Sequence, residues 1–253
     1  MKKPILIFLF FCLLIFAGVS FGFTAYKKEK KLPVDPATAF AVVELFTSEG
    51  CSSCPPADDA VAAIIKEYPG QVYVLGFHVD YWNHLGWKDA FSMAAFSERQ
   101  RQYAEVFHLN SIYTPQIVVN GITQFTGSDK NKLQNTVASE LNKVRTVGIQ
   151  LNASCNDQKI VLVNYKVNAV EKGIVNIVLV QLHATSAVSN GENKGRNLAH
   201  VNIVRAFKTF TENSGTASFA IPVGLSSKDC KVIAFVQDKS SMHITGAGQT
   251  PVN

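Results

Sequence analysis

The sequence predicts an α/β domain followed by an all-β domain. Two observations carry this. Over residues 39–147 the apolar positions switch between strand-like runs and helical spacing, whereas after Val147 the strand-like runs follow one another with no helical pattern between them. A third observation sets the functional question. Two cysteines three positions apart, Cys51 and Cys54 in "FTSEGCSSCPPADDAV", stand between a strand-like and a helix-like run.

Taken in order, "FAVVELFT" (40–47) is apolar and β-prone and ends in Ser-Glu-Gly turn chemistry. After Cys54, Ala57, Ala60, Val61, Ile64 and Ile65 recur at helical spacing, and Pro55 and Pro56 fit only a first helical turn. Pro69-Gly70 stops that helix. "QVYVLGFHVD" (71–80) predicts a second strand and Ala90 to Phe107 a helical region. "TPQIVVNG" (114–121) and "ITQFTG" give two more strands, and 128–144 a last helix. Beyond residue 147, "KIVLVNYKV", "GIVNIVLVQLH", "VNIVRAFKTF", "TASFAIPV" and "CKVIAFVQD" predict antiparallel strands of a sandwich-like domain, 148–253.

The chain opens with two lysines, a long apolar run and then small residues, the pattern of an export signal. Residues 1–25 are read as a signal peptide or a retained membrane anchor, and 26–38, with two prolines, as a linker. The formal charge of +5 is confined to this region: Lys2, Lys3, Lys27, Lys28, Lys30 and Lys31 against Glu29 leave eighteen basic and eighteen acidic side chains from Leu32 onward. A neutral body has no electrostatic footprint for nucleic acid. The expected location is therefore periplasm or cell envelope, with membrane contact only through the N-terminal segment.

Setting Cys12 aside leaves four cysteines, an even number in an oxidising compartment. With Cys51 and Cys54 as the close pair, Cys155 and Cys230 form the distant one. A structural disulfide there would close a loop of about 75 residues, worth on the order of 4 kcal/mol in the chain-entropy model. For the close pair, a helix N-terminus favours the thiolate, so Cys51 is expected as an exposed nucleophile and Cys54 as the buried resolving thiol. Thr114 and Pro115 are expected to position the substrate; the order of elements resembles a thioredoxin-like fold, which implies a cis peptide bond at Pro115 that frees the backbone of Thr114 for pairing. No cofactor is required. The partners expected are envelope protein thiols or disulfides, or a small thiol.

Two other readings stand beside thiol–disulfide exchange. Two thiols with a histidine suit a soft ion, so Cys51, Cys54 and His78 make a copper-binding or metallochaperone module the alternative. No second Cys-x-x-Cys or His-x-x-x-His pair exists for structural zinc. A permanently closed pair in a non-catalytic interaction module is the other. The dense run "FHVDYWNHLGW" supplies a candidate pocket wall: His78, Asp80, Tyr81 and Trp82, with Asn83, His84 and Trp87. The bland reading of the same run is a packing wedge. "NGENKGRNLAHVNIVR" (190–205) reads as a surface hairpin or as a loop long enough to cover Cys51.

The order β-α-β-α-β-β-α, with Cys51-x-x-Cys54 after the first strand and Pro115 opening the third, resembles the thioredoxin fold. More specifically, "VVELFTSEGCSSCPPADDAV", "GFHVDYWNHLGWKDAFS", "YTPQIVVNG", "GENKGRNLAHVNIVR" and "FVQDKSSMHITGAGQ" together resemble a family of exported bacterial thioredoxin-like proteins classed as a domain of unknown function. The resemblance implies an exported thioredoxin-like domain at 39–147 with a C-terminal β domain, and no substrate. The chain departs from ordinary thioredoxins in its Ser-Ser spacer, in Gly50 where they carry tryptophan, and in Leu45 where they carry a buried acid. Glu44, one residue away, is a further candidate pocket residue, although a one-residue step along a strand changes face.

Overall fold

The computed structural model describes residues 39–168 and 173–253. The expected export segment (1–25) and the linker (26–38) lie outside the described residues. The elements of the first half occur close to where periodicity places them: β1 (Ala41–Thr47), α1 (Pro55–Glu67), β2 (Val72–His78), α2 (Ala94–Val106), β3 (Gln116–Val119), β4 (Thr123–Thr126) and α3 (Lys130–Leu141). Pro55 and Pro56 open α1, where a missing N–H costs nothing. Asp129 caps α3 by accepting from the Lys132 amide at 2.9 Å. The second half is β5 (Ile149–Cys155), β6 (Ile160–Val167), β7 (Gly173–Ala187), β8 (Asn197–Phe210), β9 (Ser214–Ala220), β10 (Cys230–Asp238) and β11 (Ile244–Pro251).

These elements do not make the two domains that the sequence predicts. Among the described residues strand predominates over helix, and eight strands form one mixed sheet in the order β11-β10-β7-β8-β2-β1-β3-β4. The expectation of a thioredoxin-like α/β domain followed by a separate β-sandwich is overturned by this sheet, which runs without a break from one half of the chain into the other. The join is between β2 and β8, which pair in parallel at Gly76 and Ile203. Gly76 permits the approach. A Cβ there would lie 3.4 Å from the carbonyl oxygens of both Val201 and Asn202, so a larger side chain would press on the incoming strand.

Both faces of the sheet are covered. Against α2 pack Phe46, Phe77, Val178, Val204 and Phe235. On the alternate residues, Val43, Leu45 and Val74 meet α1 and α3. Further along, Ile177, Leu179, Val232 and Ala234 meet a second sheet of three strands, β5-β6-β9. Coverage on both sides explains the apolar run Ile177 to Val180 of β7 and the complete burial of residues 175–181. The same strand alternates inward and outward over its last residues, where it leaves the core. Among the described residues no helix is long and apolar enough to cross a membrane.

Candidate functional site

Cys51 and Cys54 sit in the turn between β1 and α1. The Cys54 amide donates to the Cys51 carbonyl at 3.2 Å, and the Cys54 carbonyl accepts from Ala57 at 2.8 Å, so Cys54 is the N-cap of α1 and Cys51 lies one turn ahead of it. Both are free thiols. The expectation that Cys51 is exposed is corrected: it is 1 % exposed, as is Cys54. The Cys51 sulfur lies 3.2 Å from Ser53 Oγ and 3.9 Å from the Thr114 carbonyl oxygen.

The two thiols are driven apart. A hydrogen bond from Cys54 is the largest influence on Cys51. Burial opposes it, Ser53 and Thr114 assist it, and the result is a pKa of about 6. Burial pushes the Cys54 thiol well above its ordinary range, and the neighbouring Cys51 thiolate adds to that. The asymmetry expected from a helix start is therefore present, but it arises chiefly from the partner thiol and the surrounding hydroxyl and carbonyl groups.

Thr114 and Pro115 come to this turn, joined by a cis peptide bond. Trp82 fixes Thr114 by donating from its indole nitrogen to Thr114 Oγ1 at 2.8 Å. Gly50 makes room for Trp82, since a Cβ at 50 would stand 3.0 Å from the Trp82 Cβ. Gly50 is thus matched to a tryptophan arriving from the loop after β2.

Beneath the turn lies a buried polar cluster that sequence reasoning left scattered. His78 Nδ1 is 2.7 Å from Asp89 Oδ2, and that carboxylate also accepts from the Glu49 amide at 2.9 Å. His200 of β8 stands between two acids, with Nδ1 3.3 Å from Asp58 and Nε2 3.4 Å from Glu49. Thr47 donates to Asp58 at 3.2 Å, and Trp87 to Glu49 at 2.8 Å. The His78 and His200 rings meet edge to face at 4.7 Å. Burial alone would lower the His200 pKa. Hydrogen bonds and charges of Asp58 and Glu49 outweigh it and raise the value to about 9. Burial raises the Glu49 carboxyl, but His200, Ser186 and Trp87 bring it below its ordinary value.

The loop between β7 and β8 closes over the cysteine turn. Glu192 accepts from the Ser52 amide at 3.0 Å and from its hydroxyl at 2.7 Å. Asn193, fully buried, donates to the carbonyls of Glu49 at 2.8 Å and Cys51 at 2.9 Å. Of the two readings of 190–205, the structure favours the covering loop over the free surface hairpin.

The remaining sequence-predicted residues are dispersed. Asp80 accepts from Ser97, and Tyr81 donates to Gln100 at 3.2 Å, both on α2. Glu44 is absent from the site. It faces α2, where Arg99 holds it at 2.6 and 2.8 Å, while Leu45 faces α1. No bond joins Cys155 and Cys230. Both are free and pack into the cluster between the two sheets, and burial pushes the Cys230 thiol up to about 11. Among the described residues no group of three or more His, Cys, Asp or Glu side chains is placed to hold a metal ion, and His78 is engaged by Asp89.

Glu49, Asp58, Asp89, Glu192 and Asn193 were missed by sequence reasoning. Only the density of acids and histidines around the cysteine motif and in 190–205 signalled them.

Comparison with known proteins adds fold and kinship. No curated protein matches the chain. A crystal structure of an Agrobacterium tumefaciens protein, a structural-genomics target, is similar: 27 % identical, with a TM-score of 0.62 over 83 % of this chain and 92 % of that one. A family model described as "Protein of unknown function (DUF1223)" matches residues 42–237, which include the cysteine turn, the buried histidines and the covering loop, and the chain belongs to that family.

Proposed function

We propose that the chain is an exported dithiol–disulfide exchange protein working at Cys51 and Cys54. The single observation that supports this reading most is the opposed tuning of two adjacent thiols, one held near 6 and the other driven upward. A buried structural cysteine has no need of a stabilised thiolate, whereas a nucleophile does. The basic-then-apolar opening of the sequence supports export.

In the reaction, the Cys51 thiolate attacks one sulfur of a partner disulfide. A mixed disulfide forms and one partner thiolate leaves. Cys54 then loses its proton and attacks the Cys51 sulfur, releasing the second partner thiolate and leaving a Cys51–Cys54 disulfide. Two electrons pass to the partner, and the same steps reversed oxidise a dithiol. Thr114 supplies a carbonyl beside Cys51, and Trp82 fixes its side chain. Because Cys51 is 1 % exposed, exchange requires the Glu192 and Asn193 contacts to open.

The test is covalent trapping. Cys54→Ser retains the nucleophile and removes the resolving thiol, so in envelope extracts it should accumulate mixed disulfides that dithiothreitol releases. Cys51→Ser should accumulate none. Equal trapping by both variants, or none by Cys54→Ser when Cys51 alkylates readily, removes the proposal.

A further inference from the structure

A second candidate site lies on the α2 face of the sheet, away from the cysteine turn. A cavity of about 500 Å³ opens between α2 and strands β7, β8 and β10, with Phe77, Phe96 and Phe207 in its wall and Asn176 and Thr209 beside them. That volume is within the range of small-molecule pockets, roughly 300–1,000 Å³.

Arg99 is the informative residue of the lining. It is 9 % exposed, and its guanidinium carbon lies within 5.6 Å of four aromatic ring centroids, those of Phe77, Tyr103, Phe207 and Phe235. Its Nε and Nη2 hold Glu44, and Nη2 also reaches Tyr103 and Gln237. The third nitrogen, Nη1, has no hydrogen-bond partner among the described residues, and Arg99 lines the cavity. Taking an arginine–glutamate pair out of water costs more than apolar side chains of the same volume would. The two N–H groups of Nη1 face the cavity, where an acceptor on a bound molecule can meet them.

The charge balance narrows the acceptor. Glu44 is fully buried and bound through both oxygens, so it already cancels the guanidinium charge. The rest of the lining sets Lys239 against Glu105 and Asp238, so a second carboxylate at Nη1 would enter a site with no net positive charge, whereas a neutral carbonyl oxygen satisfies the N–H groups without adding charge. The aromatic wall suits a flat apolar body. We infer that this cavity binds a small neutral carbonyl compound, with its body among Phe77, Phe96 and Phe207 and its oxygen accepting from Arg99 Nη1. The site is independent of the thiol reading, since Cys51 and Cys54 are not among its lining residues.

The experiment is an NMR titration of the full-length protein with benzamide and, separately, benzoate. Benzamide should shift the amide resonances of Ala95, Phe96, Ile174 and Thr209 saturably, and benzoate should bind at least about tenfold more weakly, a difference of the size one mispaired polar group makes. Ala95→Trp, on the exposed first turn of α2, should plug the cavity and abolish the shifts without removing a contact. The double variant Glu44→Gln with Arg99→Met removes the donor while keeping the site uncharged, and should weaken benzamide by about tenfold. Absence of saturable shifts, undiminished binding in Ala95→Trp, or benzoate binding more tightly than benzamide would overturn the inference. Thiol exchange should be unchanged in Ala95→Trp, which separates failure of this site from failure of the cysteine site.

Discussion

The Asn193 carboxamide donates to the main-chain carbonyl of Cys51 at 2.9 Å, across 142 positions of sequence. One side chain from the β7–β8 loop thereby secures the turn that begins α1. The continuous sheet makes this possible. The β2–β8 pairing joins the two halves of the chain, and His200 of β8 reaches Asp58 of α1 beside the same turn.

Removing that side chain should expose the nucleophile. Asn193→Ala leaves the Glu49 and Cys51 carbonyls without their donor, costing about 1–3 kcal/mol for each group left unsatisfied. Opening of the loop then becomes more frequent. Alkylation of reduced protein with iodoacetamide at fixed pH should modify Cys51 faster in Asn193→Ala than in the parent, as read by peptide mass spectrometry. An unchanged rate would mean that the loop does not limit access.

The Cys51 thiol should titrate near pH 6, and its alkylation rate should rise through that value. Its depressed pKa stabilises the folded reduced state above the ordinary thiol value of 9.0, and that contribution is lost as pH falls through about 6. Cys54 is the first cause of the depression, so Cys54→Ala should move the midpoint upward toward 9.0. The measurement is the pH profile of thiolate ultraviolet absorbance or of alkylation rate. A midpoint near the ordinary value in the parent protein would contradict the tuning.

The positions of these strands and helices were legible because apolar spacing reports them directly. The joining of the two halves was not. A sandwich with one wet face alternates apolar and polar residues, whereas Ile177 to Val180 does not alternate, and that run was the available sign of a strand covered on both faces. Gly76 was the complementary sign, a strand glycine where another backbone comes close. For the site, the cysteine motif, Pro115 and the dense run at 78–87 were visible locally. Asp58 could be read only as an ordinary helix acid, because its partner His200 is 142 positions away. The one-residue step from Leu45 to Glu44 did separate the two faces, but the partner that explains Glu44 is Arg99 on α2, which no local pattern points to.

His200 makes the stability of the fold depend on alkaline pH. Asp58 and Glu49 flank the ring, His78 meets its edge, and Arg205 lies over the neighbouring Phe91. Its pKa rises from 6.5 to about 9 on folding, so the folded state binds the proton more tightly. The resulting stabilisation is complete below pH 6.5, declines above it and is lost as pH rises through about 9. Its full size is on the order of a few kcal/mol. The Cys51 thiolate contributes with the opposite sign over the same range, so the comparison is made in a Cys51→Ser background. There denaturant midpoints should fall across this window, and adding His200→Gln should lower stability at pH 6 and flatten the profile. A flat profile of Cys51→Ser between pH 6.5 and 9 would show that His200 is not held protonated.

The Arg99–Glu44 pair should be worth more to the fold intact or wholly absent than half removed. Glu44 is fully buried in the sheet and receives both Arg99 and, at 2.6 Å, the Tyr103 hydroxyl. Arg99→Met alone strands that carboxylate, a loss of about 3–5 kcal/mol for a broken buried pair. Adding Glu44→Gln removes the charge and leaves an amide that can still accept from Tyr103, so the double variant should recover most of the loss. Urea unfolding of the parent, both single variants and the double closes the cycle. Recovery in the double variant identifies the stranded charge as the cause, because packing lost with the guanidinium is the same in Arg99→Met and in the pair. If the double variant is no more stable than Arg99→Met, the guanidinium holds this face of the sheet through its four aromatic contacts rather than through its charge.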